Sequence, residues 1–196
     1  MAVDSKNVFV GRADQKTAGA VRTAAVGTAC PASAKATLDT ATWTDSGWIS
    51  EDGLAVSQDY STTPIKEWNG GTVRTLPDTV DRTVQYTELE TSYETMCRMV
   101  GTENVTKTNA DAQHGTQLKV NFGTELPPAR AWAFLMKDED RRMIIFLPNA
   151  QITSVDTVNF VRNDAVKWTF TLTCNSDADG YSMYLLTDDG QVVTNG

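Results

Sequence analysis

The chain has 196 residues, with 17 basic and 25 acidic side chains and a formal net charge of −8. Apolar residues make up 40%, which excludes an intrinsically disordered chain. The length suits one domain, or two at a stretch. The scaling of surface with mass gives roughly 9,100 Å² folded against roughly 31,000 Å² unfolded, so the core needs no disulfide or metal staple. A pI near 4.6 argues against a protein that grips nucleic acid by replacing phosphate counterions. The adjacent basic pair Arg141-Arg142 directly follows the acidic Asp138-Glu139-Asp140.

The first residues, Met1 to Gly11, carry Asp4 and no long apolar stretch, so they do not read as a secretory signal. No run approaches the length of a membrane-spanning helix, and no membrane partner is expected. Residues 1–42 hold five basic and three acidic residues, a net +2, which leaves −10 on residues 43–196. After a short extended piece, Asn7 to Gly11, this region is rich in Ala, Gly, Thr and Ser and lacks aromatics until Trp43. Small side chains bury little area, so it cannot form a core of its own. It reads as an extended arm or long loop, ordered only against something else, ahead of a single domain at 43–196. A negative body with a mildly positive arm could pair with copies of itself; a soluble acidic protein with a polar tail is the simpler alternative.

From Trp43 onward the pattern is that of strands. Ser50-Glu51-Asp52-Gly53 is a polar turn between Trp48-Ile49 and Leu54-Ala55-Val56, and Asn69-Gly70-Gly71 is a turn joining Ile65–Trp68 to Thr72–Thr75. Val80 to Tyr86 alternates loosely through Val84. One helix is expected at about residues 91–100. Thr91 serves as N-cap with Glu94 as its capping-box partner, Tyr93, Met96, Cys97 and Val100 form one face, and Gly101 stops it. Gln117 to Phe122 alternates. Ala131–Met136 and Met143–Leu147 are more continuously apolar and flank a charged hairpin tip, which suggests a central position or a second covering layer. Trp168 to Cys174 places apolar residues at even positions and Thr at odd ones. Tyr181–Thr187 and Gln191–Thr194 read as a last hairpin. Roughly eight to ten strands and one helix make a mainly β chain, a sandwich or barrel with one short flanking helix.

No catalytic constellation is visible. The one histidine, His114, lies in a polar loop, and no phosphate-binding or zinc-binding pattern exists. Cys30, Cys97 and Cys174 are widely spaced and read as free thiols, the last two on apolar faces. Asn175 to Gly180 imitates the start of a calcium loop but has Leu186 where a bidentate Glu is needed, so it reads as an Asp-Gly turn. The acidic run at Asp138 reads as a solvated tip with no buried carboxylate. Trp132 and Trp168 look like core, whereas Trp43, Trp48 and Trp68 are expected at exposed or interface positions. No enzyme, metal or cofactor is expected. A carbohydrate-binding module using exposed Trp is a weaker alternative.

Two blocks carry a resemblance, Trp48-Ile49-Ser50-Glu51-Asp52-Gly53-Leu54 and Ile65-Lys66-Glu67-Trp68-Asn69-Gly70-Gly71-Thr72-Val73-Arg74. They resemble the major tail proteins, or tail tube proteins, of long-tailed, non-contractile bacteriophages, especially those of actinobacterial hosts. The resemblance implies a structural virion protein on a β-sandwich with a flanking helix. Six copies would close into a ring and rings would stack into a tube, the conduit for DNA ejection. It implies as partners the chain itself, tail-tip, tape-measure and terminator proteins, and genomic DNA that passes without tight binding. Assembly would take place in the host cytoplasm. The candidate inter-subunit contacts are Val8, Phe9, Trp48, Glu51, Asp52, Ile65, Trp68 and Arg74. Another ring-forming component, such as a tail terminator or a secretion-tube protein, is the alternative.

Overall fold

The alternation at 168–174 forms the strand it predicts, and the rest of the architecture grows around it. The computed structural model describes residues 8–15 and 19–192. In chain order it contains β1 (Arg12–Ala13), β2 (Val21–Ala25), β3 (Thr44–Asp45), β4 (Ile49–Lys66), β5 (Thr72–Glu88), α1 (Tyr93–Val100), β6 (Val105–Thr108), β7 (Gln117–Val120), β8 (Arg130–Asp138), β9 (Arg141–Val155), β10 (Trp168–Asn175) and β11 (Tyr184–Asp188). The fold is mainly β with one α-helix among the described residues. The main sheet is antiparallel, in the order β3-β2-β8-β9-β10-β5-β4. The long strands serve two partners on one edge. β8 carries β2 and then β1, and β9 carries β11 and then β10. The hairpin β6–β7 stands apart from this sheet.

The even residues of β10 (Trp168, Phe170 and Leu172) enter the main core with Val84 and Tyr86 of β5 and Trp132 and Phe134 of β8. Met96, Cys97 and Met99 of α1 close that core from the helix side. The odd-numbered neighbours Ala131 and Ala133 face the opposite way, into a second core with Ile144, Phe146, Ala24 and Trp43. β8 is therefore apolar because both of its faces are covered, and Cys30, Leu38 and Trp43, from the loop between β2 and β3 (residues 26–43), pack on the outer one. Val21–Ala25 pairs with β8 along its length, so the small side chains of this segment are ordered by the chain's own sheet.

Several local expectations need correction. The helix starts one residue later than the capping pattern indicates. Ser92 is the N-cap and its hydroxyl accepts from Thr95 N at 3.1 Å. Thr91 is occupied elsewhere, accepting from Trp168 Nε1 at 3.0 Å. Ser50 to Gly53 does not join two strands; it is a bulge inside β4, whose partner shifts from Glu88 at Ile49 to Tyr86 at Leu54. Trp43 is buried at 5% exposure, where an exposed or interface position is expected. Asp138 is also buried, because the backbone N–H of Val10 donates to it and Arg141 pairs with it. Residues 191–192 form no strand, and Val193 and Thr194 lie outside the described residues. Val8 to Gly11 precedes β1 without strand pairing, and Asn7 is likewise not described.

Candidate functional site

β4 and β5 form a hairpin much longer than the sheet that supports it. β10 pairs with β5 only from Thr83 to Glu88, so β5 residues 72–82 extend beyond it, about 36 Å of strand. Every residue from 55 to 81 except Leu76 is exposed. The turn at the tip is built by its own residues. Glu67 N donates to Gly71 O at 2.8 Å, the Glu67 carboxylate accepts from Asn69 N and Gly71 N, and Gly70 supplies the positive φ of 89°.

The hairpin has two unlike faces. On one, the cross-strand pairs Leu54–Tyr86, Val56–Val84, Gln58–Arg82 and Tyr60–Val80 carry the apolar surface of the core outward. Val56, Tyr60 and Val80 stay 45%, 62% and 39% exposed, so this strip, apolar except for Gln58 and Arg82 bonded to each other at 2.6 Å, leaves the domain uncovered. On the other face stand Ala55, Ser57, Asp59 and Ser61 against Gln85, Thr83, Asp81 and Thr79. That polar surface runs on across the sheet. Thr87 and Thr169 hydroxyls meet at 2.8 Å, Gln85 Nε2 donates to Thr171 at 3.2 Å, and Thr173 meets Thr153 at 2.9 Å. The surface is thus built of hydroxyls, amides and the carboxylates Asp59 and Asp81, and none of these positions is Lys or Arg.

At the foot of the hairpin lies an open groove of about 710 Å³ lined by Arg22, Thr40, Trp43, Asp45, Trp48, Glu90, Ser92 and Glu94, among others. Glu90 accepts from Trp48 N at 2.8 Å, and Asp45 holds Arg22 at 3.0 Å. Gly47 has φ +73°, and a side chain there would collide with the Glu90 carboxylate, so the glycine lets the two segments close. Behind the groove Arg98 donates to Glu88 at 2.7 and 2.9 Å and to Asp45 O at 3.0 Å, both side chains being buried. Tyr86 also donates to Glu88, at 2.9 Å, and burial, with the nearby Glu88 carboxylate, pushes its phenol well up.

The eight residues singled out by sequence fall at three separate places. Val8 and Phe9 lie beside the β8–β9 turn, Phe9 packing its ring 5.5 Å from the Arg141 guanidinium. Trp48, Glu51 and Asp52 cluster at the hairpin foot, with Trp48 62% exposed. Ile65, Trp68 and Arg74 gather at the tip, where Ile65 pairs with Arg74 and Trp68 is fully exposed. Foot and tip are about 40 Å apart, counted from Leu54 to Lys66 along β4. Sequence reasoning missed Asp45, Glu90 and Glu94, which converge only through the fold. His114 is exposed and bonded to Asp111 at 2.9 Å. Asn175 to Gly180 is a turn in which Asp177 accepts from Asp179 N, Tyr181 N and the Tyr184 hydroxyl. Among the described residues no cluster of three metal-ligating side chains exists, and no helix is long and apolar enough to cross a membrane.

A family described as "Phage tail tube protein" matches residues 1–195. A solved structure described as the sheath/tube terminator of an extracellular contractile injection system, PVC, in the extended state, aligns with a TM-score of 0.40 and 13% identity, over 71% of this chain and 83% of that chain. No curated protein matches. The chain belongs to the phage tail tube protein family, a family of virion structural proteins and not of enzymes.

Proposed function

We propose that this tail tube family member closes into six-membered rings that stack into the hollow tube of a long, non-contractile phage tail, through which DNA leaves the virion. The family match along residues 1–195 is the observation that carries the proposal. The hairpin supports it. The ribbon is exposed and amphipathic, and among the described residues the outer edge of β4 is unpaired and open to a neighbour.

In this reading the polar face of β4, β5, β10 and β9 lines the lumen. Hydroxyls and carboxylates without cations offer phosphate no strong contact, so DNA slides without being held. The apolar strip of the hairpin packs on a neighbouring copy, and Val8, Phe9, Trp48, Glu51, Asp52, Ile65, Trp68 and Arg74 make the contacts between copies. Within residues 1–42, β1, β2 and the loop at 26–42 pack into the domain's own sheet and second core, and the segment ahead of β1 acts as the assembly arm. Tail-tip, tape-measure and terminator proteins complete the tail, built in the host cytoplasm. The test is negative-stain electron microscopy of the purified chain over a concentration series, alone and with tail-tip complex. Hollow tubes of uniform diameter are expected. Monomers at every concentration, with and without the tip complex, would overturn the proposal.

A further inference from the structure

We infer that the groove at the hairpin foot is the receptor for the hairpin tip of a second copy, with Trp68 of one subunit seated against Trp48 of the next. This rests on the reading of the hairpin as an inter-subunit contact and adds where the tip docks. The tip cannot reach the groove of its own chain, because β4 carries it about 40 Å away. A second copy therefore supplies the occupant.

Charge selects the pairing. Among the described lining residues Asp45, Glu90 and Glu94 face one cation, Arg22, and Asp45 already holds that cation at 3.0 Å. Glu94 is exposed and forms no ion pair among the described residues, and Glu90 is bonded only to the backbone N–H of Trp48. Among the described residues the groove is left with two carboxylates outside any ion pair, the buried Arg98 being paired with Glu88 and acting on Glu94 only electrostatically. The tip has the opposite sign. Lys66 and Arg74 flank Trp68 and have no ion-pair partner among the described residues, while the carboxylate of Glu67 is turned inward on the N–H groups of Asn69 and Gly71. Two uncommitted cations around a fully exposed indole thus face two uncommitted carboxylates beside a half-exposed one. The cavity of about 710 Å³ lies in the range that encloses a bulky ligand, roughly 300–1,000 Å³, so an indole with its flanking side chains fits. Indole against indole, with a guanidinium over either ring, is the kind of contact that dominates binding energy at protein interfaces.

The experiment measures self-association of the full chain by sedimentation, comparing Trp68→Ala, Arg74→Glu, Glu94→Arg and the double variant Arg74→Glu/Glu94→Arg. All three sites are exposed, and a circular dichroism melt of each variant checks that it folds. Trp68→Ala should raise the concentration for half-assembly on the order of 30-fold. Each charge reversal should raise it about 5-fold, and the double variant should return close to the parent because the pair is restored with its signs exchanged. If Trp68→Ala weakens assembly but the double variant is as poor as the product of the singles, the groove is not the receptor, and the hairpin remains the contact. If Trp68→Ala leaves assembly unchanged, both the receptor and the hairpin reading fall.

Discussion

Replacing Arg98 with Met tests the joint that holds the hairpin foot together. Arg98 is 2% exposed at its side chain and Glu88 is 0%. Its guanidinium gives two bonds to Glu88, one to Asp45 O, and longer contacts to Ser46 O and Thr95 Oγ1, so one side chain ties α1 to β5 and to the end of β3. Methionine fills similar volume but leaves the Glu88 carboxylate buried, with Tyr86 as its remaining donor. Breaking a buried pair in this way costs about 3–5 kcal/mol, a large part of the roughly 5–15 kcal/mol that stabilises a domain. For a chain of this size each kcal/mol moves the melting temperature by about 2–4 °C, so the expected fall is about 6–20 °C. The assay is thermal unfolding followed by circular dichroism, at concentrations below assembly, since association would raise the apparent midpoint. Adding Glu88→Gln to Arg98→Met should recover part of the loss, because a neutral amide no longer strands a charge. A fall below about 3 °C, or no recovery in the double variant, would refute the reasoning.

Other expectations concern the sheet face, acid stability and thiols. Thr83→Lys with Thr171→Lys places cations on the polar face; the fold and tube formation should persist while DNA ejection slows, and unchanged ejection would remove that face from the lumen. Stability should fall as pH drops below about 4. Asp138 is held below its usual range by the Val10 N–H and then by Arg141, Asp177 by the Tyr184 hydroxyl and the Tyr181 N–H, and Asp188 by Lys35 and the Gly190 N–H. With depressed folded-state values, the unfolded chain binds more protons, so this contribution is complete above the unfolded pKa and is lost as pH falls through the folded one. Melts from pH 2.5 to 7 check it, and a midpoint flat across that window counts against it. Burial pushes the Cys174 thiol up to about 11 and also raises Cys30, while Cys97 is buried, so a thiol reagent at pH 8 should react slowly with the native protein and fully after unfolding. Three fast thiols in the native state would contradict this.

What could be read from sequence was whatever depends on near neighbours. The period of two at Trp168 to Cys174 set both the strand and its buried face, and the spacing Tyr93, Met96, Cys97, Val100 set the helix and the side that packs. The Asn69-Gly70-Gly71 turn was legible because a positive φ at Gly70 is a local demand. Choices between adjacent candidates were not. Thr91 and Ser92 are both good caps, and the long-range bond from Trp168 decides against Thr91. Trp43 reads as an exposed or interface residue until Phe146 and Ala133 arrive from strands about a hundred positions away. Asp138 is buried for the same kind of reason, because Val10 reaches it across 128 residues. The acidic groove is the clearest case: Asp45, Glu90 and Glu94 share no motif, and only the pairing of β4 with β5 and the docking of α1 bring them together.

The length of the hairpin poses a hazard that its sequence answers. A free ribbon with exposed edges and apolar side chains invites uncontrolled strand pairing. Pro64 and Pro77 sit within it, paired with Thr75 and Thr62. Proline has no N–H to give, so each must occupy a pair that exchanges no bonds across the hairpin, which turns its missing donor outward on β4 and β5 respectively. Both outer edges of the distal ribbon are thus interrupted, and the bulge at Asp78, between Pro77 and Thr79, breaks the register there as well. By contrast the foot segment of β4, from Leu54 to Ser61, carries no proline and keeps an unbroken edge. The arrangement divides the hairpin by function. In the proposed assembly the foot would accept another strand along its backbone, whereas the tip would refuse one and bind through side chains. A tip that binds through side chains needs a shaped and charged receptor, whereas an open edge needs only another edge. Replacing both prolines with Val should therefore leave the tip contacts in place but add a pairing mode. Such a variant should form amorphous or laterally fused aggregates, read by electron microscopy and light scattering, and clean assembly by it would show that edge blocking is not what the prolines do.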